Sequence, residues 1–161
     1  SFSCYSFSEC SEESFKAGKR TAANPFAKVN EWGWSIDPGG LRAQLNMIYE
    51  RYHCPIYIAE RGISRVETPD EDLFVNDDYR IDYFRDTIRE IEGALTDGVD
   101  VRGLYAWSPI DMVSCSSCEM EKRYGFIYTD LDNHGKGSQK RVPKASYYWM
   151  QKVIKSNGED L

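Results

Sequence analysis

"PIYIAERG", residues 55–62, is an apolar, β-favouring run that ends on a carboxylate, Glu60, followed by Arg61 and Gly62. It reads as a buried strand. A strand that stops by presenting an acid marks either the ordinary exit of the chain from its core or a platform that aims a reactive group. Downstream, residues 76–96 place Ile81, Phe84, Ile88, Ile91 and Leu95 at steps of three and four, with Gly98 set to stop a helix. "GLYAWSPI", residues 103–110, is a second buried strand. The order strand, helix, strand predicts parallel pairing with a right-handed crossover.

Upstream, "SIDPGGLRAQLNMIYERY" predicts a helix: Asp37 can cap it, Pro38 suits its first turn, and Leu41, Leu45, Ile48 and Tyr52 recur at helical spacing. Residues 1–30 offer a third strand at "SFSCYS" and then a long polar loop. Towards the other end, "YGFIYTD" and "KRVPK" flank the turn signals of "LDNHGKGS", a hairpin pattern. A last helix is expected from Lys144 to about Ser156, burying Ala145, Tyr148, Trp149 and Val153 and ended by Gly158. The class is α/β. The inventory is nevertheless small, because a closed parallel barrel needs eight strands and typically about 250 residues. The chain is therefore either a small open sheet or part of a larger fold.

With 161 residues, 41% hydrophobic and 29% charged, the composition suits one globular domain or one piece of one. No apolar run approaches the roughly 18 residues of a membrane span. The opening "SFSCYSFSEC" lacks the basic and apolar parts of a signal peptide, so a cytoplasmic setting is expected. Cys4, Cys10, Cys54, Cys115 and Cys118 form no framework-like pattern and read as reduced thiols. A net charge of -6 argues against nucleic acid or an anionic membrane as partner, while leaving room for a local basic pocket.

In a parallel α/β sheet the chemistry sits beyond the carboxyl ends of the strands. There the first strand delivers Glu60 and the second Trp107, whose following loop carries Asp111, Ser114, Lys122 and Tyr124. A carboxylate beside an aromatic wall and hydroxyls suits a sugar: the acid meets the anomeric carbon while the indole covers the ring's apolar face. Taken singly, each residue has a plainer reading. Glu60 is then a solvated boundary residue, Trp107 and Tyr5 are core, and Ser114, Lys122 and Tyr124 form an exposed loop. Asp111 reads as a loop or cap residue, and "EWGW" (31–34) and "SYYWM" (146–150) as packing aromatics. Cys115 and Cys118 have metal-like spacing, but no second pair and no suitably spaced histidine complete a zinc site, so no metal is expected.

In this order and with these gaps, "GWSIDPGGLR", "IAERG", "NDDYRIDYFRD", "GVDVRGLYAWSPIDMVS" and "EKRYGFIYTDLDNHGKG…KASYYWMQKVIKSNGE" resemble the C-terminal part of glycoside hydrolase family 1, in its bacterial 6-phospho-β-glucosidase branch. The likeness runs from about Phe2 to Gly158. It implies the last three strands, six to eight, of a (β/α)8 barrel, an incomplete barrel without a separate second domain, from a retaining glycosidase that needs no cofactor. Glu60 matches the nucleophile ending strand seven, and Tyr5 the strand-six tyrosine that hydrogen-bonds it. Trp107 matches the strand-eight tryptophan against the sugar. Ser114, Lys122 and Tyr124 match the residues holding a 6-phosphate, Ser114 standing where enzymes for unphosphorylated sugars carry a glutamate.

The family motif usually reads Thr-Glu-Asn-Gly; here it is Ala59-Glu60-Arg61-Gly62. Arg61 is expected either to lower the pKa of Glu60 or to compete for it as an ion pair, unless it is a surface residue. Cys115 and Cys118 also depart from the pattern. The acid/base glutamate of the family belongs to a region absent from these residues, so the expected partner is a 6-phosphorylated β-glucoside, and the chain alone is expected to be inactive or to self-associate through exposed sheet edges. A fragment of a β-glucosidase for unphosphorylated sugars is the alternative.

Overall fold

A computed structural model of the chain describes residues 1–5, 8–9, 11–18, 22–23 and 26–161. Three parallel strands, β1 (Phe2–Ser3), β6 (Ile56–Arg61) and β7 (Val101–Ala106), pair in the order β1-β6-β7. Between them in sequence come two small antiparallel pairs. β2 (Ser8–Glu9) pairs with β3 (Ala22–Ala23) around the short α1 (Glu12–Lys16), and β4 (Lys28–Val29) pairs with β5 (Ser35–Ile36). After β7, the hairpin β8 (Ile127–Thr129) and β9 (Arg141–Pro143) leads into α4 (Ala145–Lys155). The expected third strand therefore exists as β1. The rest of the N-terminal stretch, read as a long loop, contains α1, the β2–β3 pair and β4 among its described residues. The predicted second strand is displaced: it spans 101–106, because Ser108 takes a left-handed φ of 61° that no strand continues through.

Two long helices cover one face of the sheet. α2 (Pro38–Tyr52) starts where the Asp37 carboxylate accepts the Gly40 N–H at 3.0 Å, with Pro38 in the first turn, and ends at His53 in the left-handed region. α3 (Asp78–Thr96) stops at Gly98, whose φ is 94°, and the Val99 N–H reaches back to the Ala94 carbonyl at 3.0 Å. Leu41 and Leu45 of α2, Ala94 of α3, and Ile56 and Ile58 of β6 meet in one core, and each fully buried aliphatic side chain contributes about 1.5–3 kcal/mol. A second cluster, Ile63, Tyr83, Phe84 and Phe126, lies below the strand ends. Tyr57 and Tyr105 stack at 6.4 Å on the opposite side of the sheet.

Helical periodicity overreaches at three positions. Tyr52, Leu95 and Tyr148 follow the apolar spacing but are exposed. Tyr52 and Leu95 fall in the last turns of their helices, where Tyr52 lies under the Arg51 guanidinium (5.4 Å). Tyr148 meets Tyr147 edge-on at 5.4 Å.

Arg42 of α2 grips Asp97, just past α3, with two hydrogen bonds of 2.7 Å, and Asn46 adds a third at 2.9 Å. The Arg42 bond first, and the Asn46 bond second, hold the Asp97 carboxyl down at about 2. A carboxyl whose folded pKa is depressed adds stability above its unfolded pKa, about 3.9, and loses it as pH falls through the folded value. The melting-temperature gap between the wild-type chain and Asp97→Asn is therefore expected to stay constant from neutral pH to about 4 and to close between about 4 and 2. A gap independent of pH in thermal scans contradicts this staple.

Candidate active site

β6 does not alternate simply. Between Ile58 and Glu60 it advances two residues while β1 advances one, from Phe2 to Ser3, and between Ile58 and Arg61 it advances three while β7 advances two, from Leu104 to Ala106. β6 thus carries one extra residue against both neighbours, the count of a β-bulge. Ile58 and Arg61 consequently share the helix-covered face, and Glu60 turns away from it. Arg61 is fully buried: its Nε donates to Thr87 Oγ1 (2.9 Å), its Nη1 lies 3.1 Å from Cys4 Sγ, and its guanidinium stacks on Tyr83 at 5.0 Å. It is neither a surface residue nor, among the described contacts, an ion-pair competitor for Glu60: successive strand residues point to opposite faces, and the bulge decides that Arg61 takes the helix-covered one.

Glu60 is held at both backbone and side chain. Its carbonyl accepts the Cys4 N–H at 2.9 Å, and its Oε2 accepts the Tyr5 hydroxyl at 2.9 Å. Burial, and after it the hydrogen bond to Glu60, pushes the Tyr5 phenol up, so Tyr5 remains a donor throughout the physiological range. Trp107, half-buried, anchors its N–H on the Arg61 carbonyl at 2.9 Å. A Cβ at Gly62 would stand 3.2 Å from Trp107 Cβ, so glycine permits this close approach.

The second group forms on the loop after β7. Ser114 is buried, its N–H on the Glu119 carbonyl (2.9 Å) and its Oγ 3.1 Å from Ser116 Oγ. Ser116 Oγ in turn accepts from Lys122 Nζ at 3.3 Å. The Lys122 ammonium, only 2% exposed, lies against Trp34 at 4.4 Å, Trp32 at 5.0 Å and Tyr124 at 5.9 Å, and among the described residues it forms no salt bridge. Ring faces contribute about 2 kcal/mol or more to a desolvated cation, well short of what a counter-ion provides. A buried ammonium beside serine hydroxyls is a site that favours an anion.

Trp34 joins the two groups. Its ring meets Tyr5 edge-on at 5.6 Å and Tyr124 at 6.4 Å, so an aromatic row runs from the tyrosine on Glu60 to the tyrosine beside Lys122. The β4–β5 turn that supplies it is tied down by Asn30, whose Oδ1 accepts the Trp32 and Trp34 N–H groups (3.0 and 2.9 Å) and whose Nδ2 donates to Ser64 Oγ (3.3 Å). Trp32 Nε1 donates to Glu119 Oε2 at 3.0 Å.

The sequence pattern presents both tryptophans as packing residues and gives Ser116 no role, yet all three lie at the site. Two tryptophans around a glycine in a polar loop, and a second serine two residues after Ser114, are the signals that point to them. Asp111 lies in the loop after β7, as expected, but it is buried, with Lys144 Nζ at 3.0 Å. Cys115 and Cys118 are free and exposed, and among the described residues no three metal-ligating side chains cluster.

A parallel sheet with helices packed on it thus carries a tyrosine-held glutamate and a tryptophan at adjacent strand ends. A sequence profile described as glycosyl hydrolase family 1 matches residues 4–159, nearly the whole chain. The chain belongs to this family. It is 51% identical to the aryl-phospho-beta-D-glucosidase BglH of Bacillus subtilis over 86% of its own length and 29% of that protein. It is 44% identical to the 6-phospho-beta-glucosidase AscB of Escherichia coli over 100% of its length and 35% of that protein. A family 1 β-glucosidase from Thermotoga maritima superposes on 98% of the chain with a TM-score of 0.83 at 30% identity, the match spanning 35% of that structure. The chain thus spans about a third of the relatives it matches.

Proposed function

We propose that the chain is the C-terminal portion of a retaining 6-phospho-β-glucosidase, carrying the nucleophile and the phosphate clamp. The observation that carries this reading is the buried Lys122 ammonium, set among aromatic rings and serine hydroxyls at the end of an aromatic row that starts at Glu60. A 6-phosphate bears a charge near -2 and accepts several hydrogen bonds, which Lys122 and the hydroxyls of Ser114, Ser116 and Tyr124 are suited to donate. With the phosphate there, the glucose ring extends along Trp34 towards Trp107 and presents C1 to Glu60.

The chemistry follows from that pose. A Glu60 oxygen attacks C1, the bond from C1 to the aglycone oxygen breaks, and an acid from outside these residues protonates that oxygen. Water then attacks C1 of the glycosyl ester, giving its proton to the same group, and glucose 6-phosphate leaves with Glu60 regenerated. Tyr5 orients Glu60 throughout. The two carboxyl groups of a retaining site stand about 5–5.5 Å apart, so a chain holding one of them has no efficient cycle. The phosphorylated, membrane-impermeant substrate sets the reaction in the cytoplasm, in keeping with free thiols. No helix among the described residues is long and apolar enough to cross a membrane. The net charge of -6 speaks against nucleic acid as partner.

A second reading, a β-glucosidase for unphosphorylated sugars, has the Thermotoga likeness in its favour and the buried Lys122 against it. As an isolated chain, β7 has no strand on its outer edge among the described residues, beside an apolar groove that includes Phe126, Met150 and Ile154, and self-association follows from such surfaces. The test is direct. The purified 161-residue chain is expected to sediment above monomer mass and not to turn over a chromogenic 6-phospho-β-glucoside. Glu60-dependent turnover by the chain alone contradicts the assignment of a missing acid/base.

A further inference from the structure

Beneath the two groups of the site lies a buried set of charges that the reaction does not use. Arg80 of α3 is fully buried, its Nε on Asp77 Oδ2 (2.8 Å) and its Nη2 on Glu67 Oε1 (2.6 Å). Lys144 Nζ bridges Glu67 Oε2 (2.6 Å) and Asp111 Oδ1 (3.0 Å), and Asp77 accepts the Ser146 N–H and hydroxyl at 2.8 and 2.6 Å. Charges this deep are costly unless paired, and similar-sized apolar side chains often stabilise as well. What the ionic version supplies is direction.

That direction falls on a single peptide unit. Arg80 Nη1 donates to the Tyr124 carbonyl at 2.7 Å, and Asp111 Oδ1 accepts the Gly125 N–H at 2.8 Å. The carbonyl of Tyr124 and the N–H of Gly125 belong to one plane, so both ends of it are held by opposite charges of the same network. The same Arg80 Nη1 also donates to the Ile63 carbonyl at 2.8 Å, three residues beyond Glu60. A Cβ at Gly125 would lie 2.3 Å from the Asp111 nitrogen, so the clamped unit sits directly on the β7 loop.

We infer that Arg80 is a positioning residue which, with Asp111, fixes the Tyr124–Gly125 peptide to the exit of the nucleophile strand and so sets the spacing between Glu60 and the Lys122–Tyr124 anion site. This rests on the phosphate reading given above. The spacing selects a sugar whose anion is one C5–C6 reach from its anomeric carbon. Arg80 touches no substrate. It acts through the backbone that carries Tyr124 and, two residues before it, Lys122.

Two readouts test it in the 161-residue chain. Rings at 4.4–5.9 Å shift the side-chain resonances of Lys122 away from those of an exposed lysine, and this signature needs no ligand. Affinity for glucose 6-phosphate by calorimetry is the second readout. In Arg80→Lys, compared under conditions where circular dichroism shows it folded, the Lys122 resonances are expected to move at least halfway to exposed values and Kd to rise about tenfold or more. Ile56→Val, a core change remote from the network, is expected to alter neither. A folded Arg80→Lys chain with unmoved Lys122 resonances and Kd within about twofold of wild type overturns the inference. If Arg80→Lys does not fold, Asp111→Asn, acting on the other end of the same peptide, is read in the same way. Should the wild type bind no glucose 6-phosphate, the phosphate reading falls and the Lys122 resonances alone decide the role of Arg80.

Discussion

Replacing Lys122 by methionine is expected to lower the affinity of the chain for glucose 6-phosphate by about a hundredfold to a thousandfold while leaving its fold intact. Removing one partner of a buried charge pair costs about 3–5 kcal/mol, and each 1.4 kcal/mol is a factor of ten. Methionine keeps most of the stem volume, and the ring cage of Trp32, Trp34 and Tyr124 accepts a thioether well, so the unliganded fold loses little. Trp32 and Trp34 report the titration by fluorescence, with glucose as the control. Equal affinities for glucose 6-phosphate in the wild-type and Lys122→Met chains contradict the placement of the anion.

Glu60→Gln is expected to have the largest catalytic effect. Glutamine preserves the acceptor for the Tyr5 hydroxyl, so the local geometry survives while the attacking oxyanion is lost. In a complete barrel made by joining this chain to the preceding part of BglH, which is 51% identical to it where they overlap, kcat is expected to fall by about 10⁴–10⁶. Tyr5→Phe, which removes one hydrogen bond to a charged group, is expected to cost about tenfold to a hundredfold. A Glu60→Gln barrel that retains a tenth of the wild-type rate rules out Glu60 as nucleophile.

Much of the architecture was legible because it depends on periodicity. Ile81, Phe84, Ile88 and Ile91 announce α3, and the apolar run 56–59 announces β6, since each pattern encodes which side faces a core. The end of the second strand was not legible. Trp107, Pro109 and Ile110 prolong an apolar run, and only the left-handed turn at Ser108 ends it.

The identities of Glu60, Trp107, Ser114, Lys122 and Tyr124 stood out through ordered motifs, but their mutual geometry did not. The extra residue between Ile58 and Arg61 leaves no mark on composition: simple alternation from Ile58 puts Glu60 on the core face and Arg61 on the other, and the bulge reverses the two. Trp34 reaches Lys122 across about ninety positions, and Arg80 reaches Tyr124 across 44. Such contacts are set by packing of distant segments, which no local pattern reports.

If a nucleophile and a phosphate clamp share this chain, one ratio reads both: kcat/KM for a chromogenic 6-phospho-β-glucoside over that for the unphosphorylated glucoside, measured on the barrel completed with BglH. The expected ratio is about a hundred or more and collapses towards one in Lys122→Met. A ratio near or below one for the wild-type sequence, or a ratio unchanged by Lys122→Met, contradicts it.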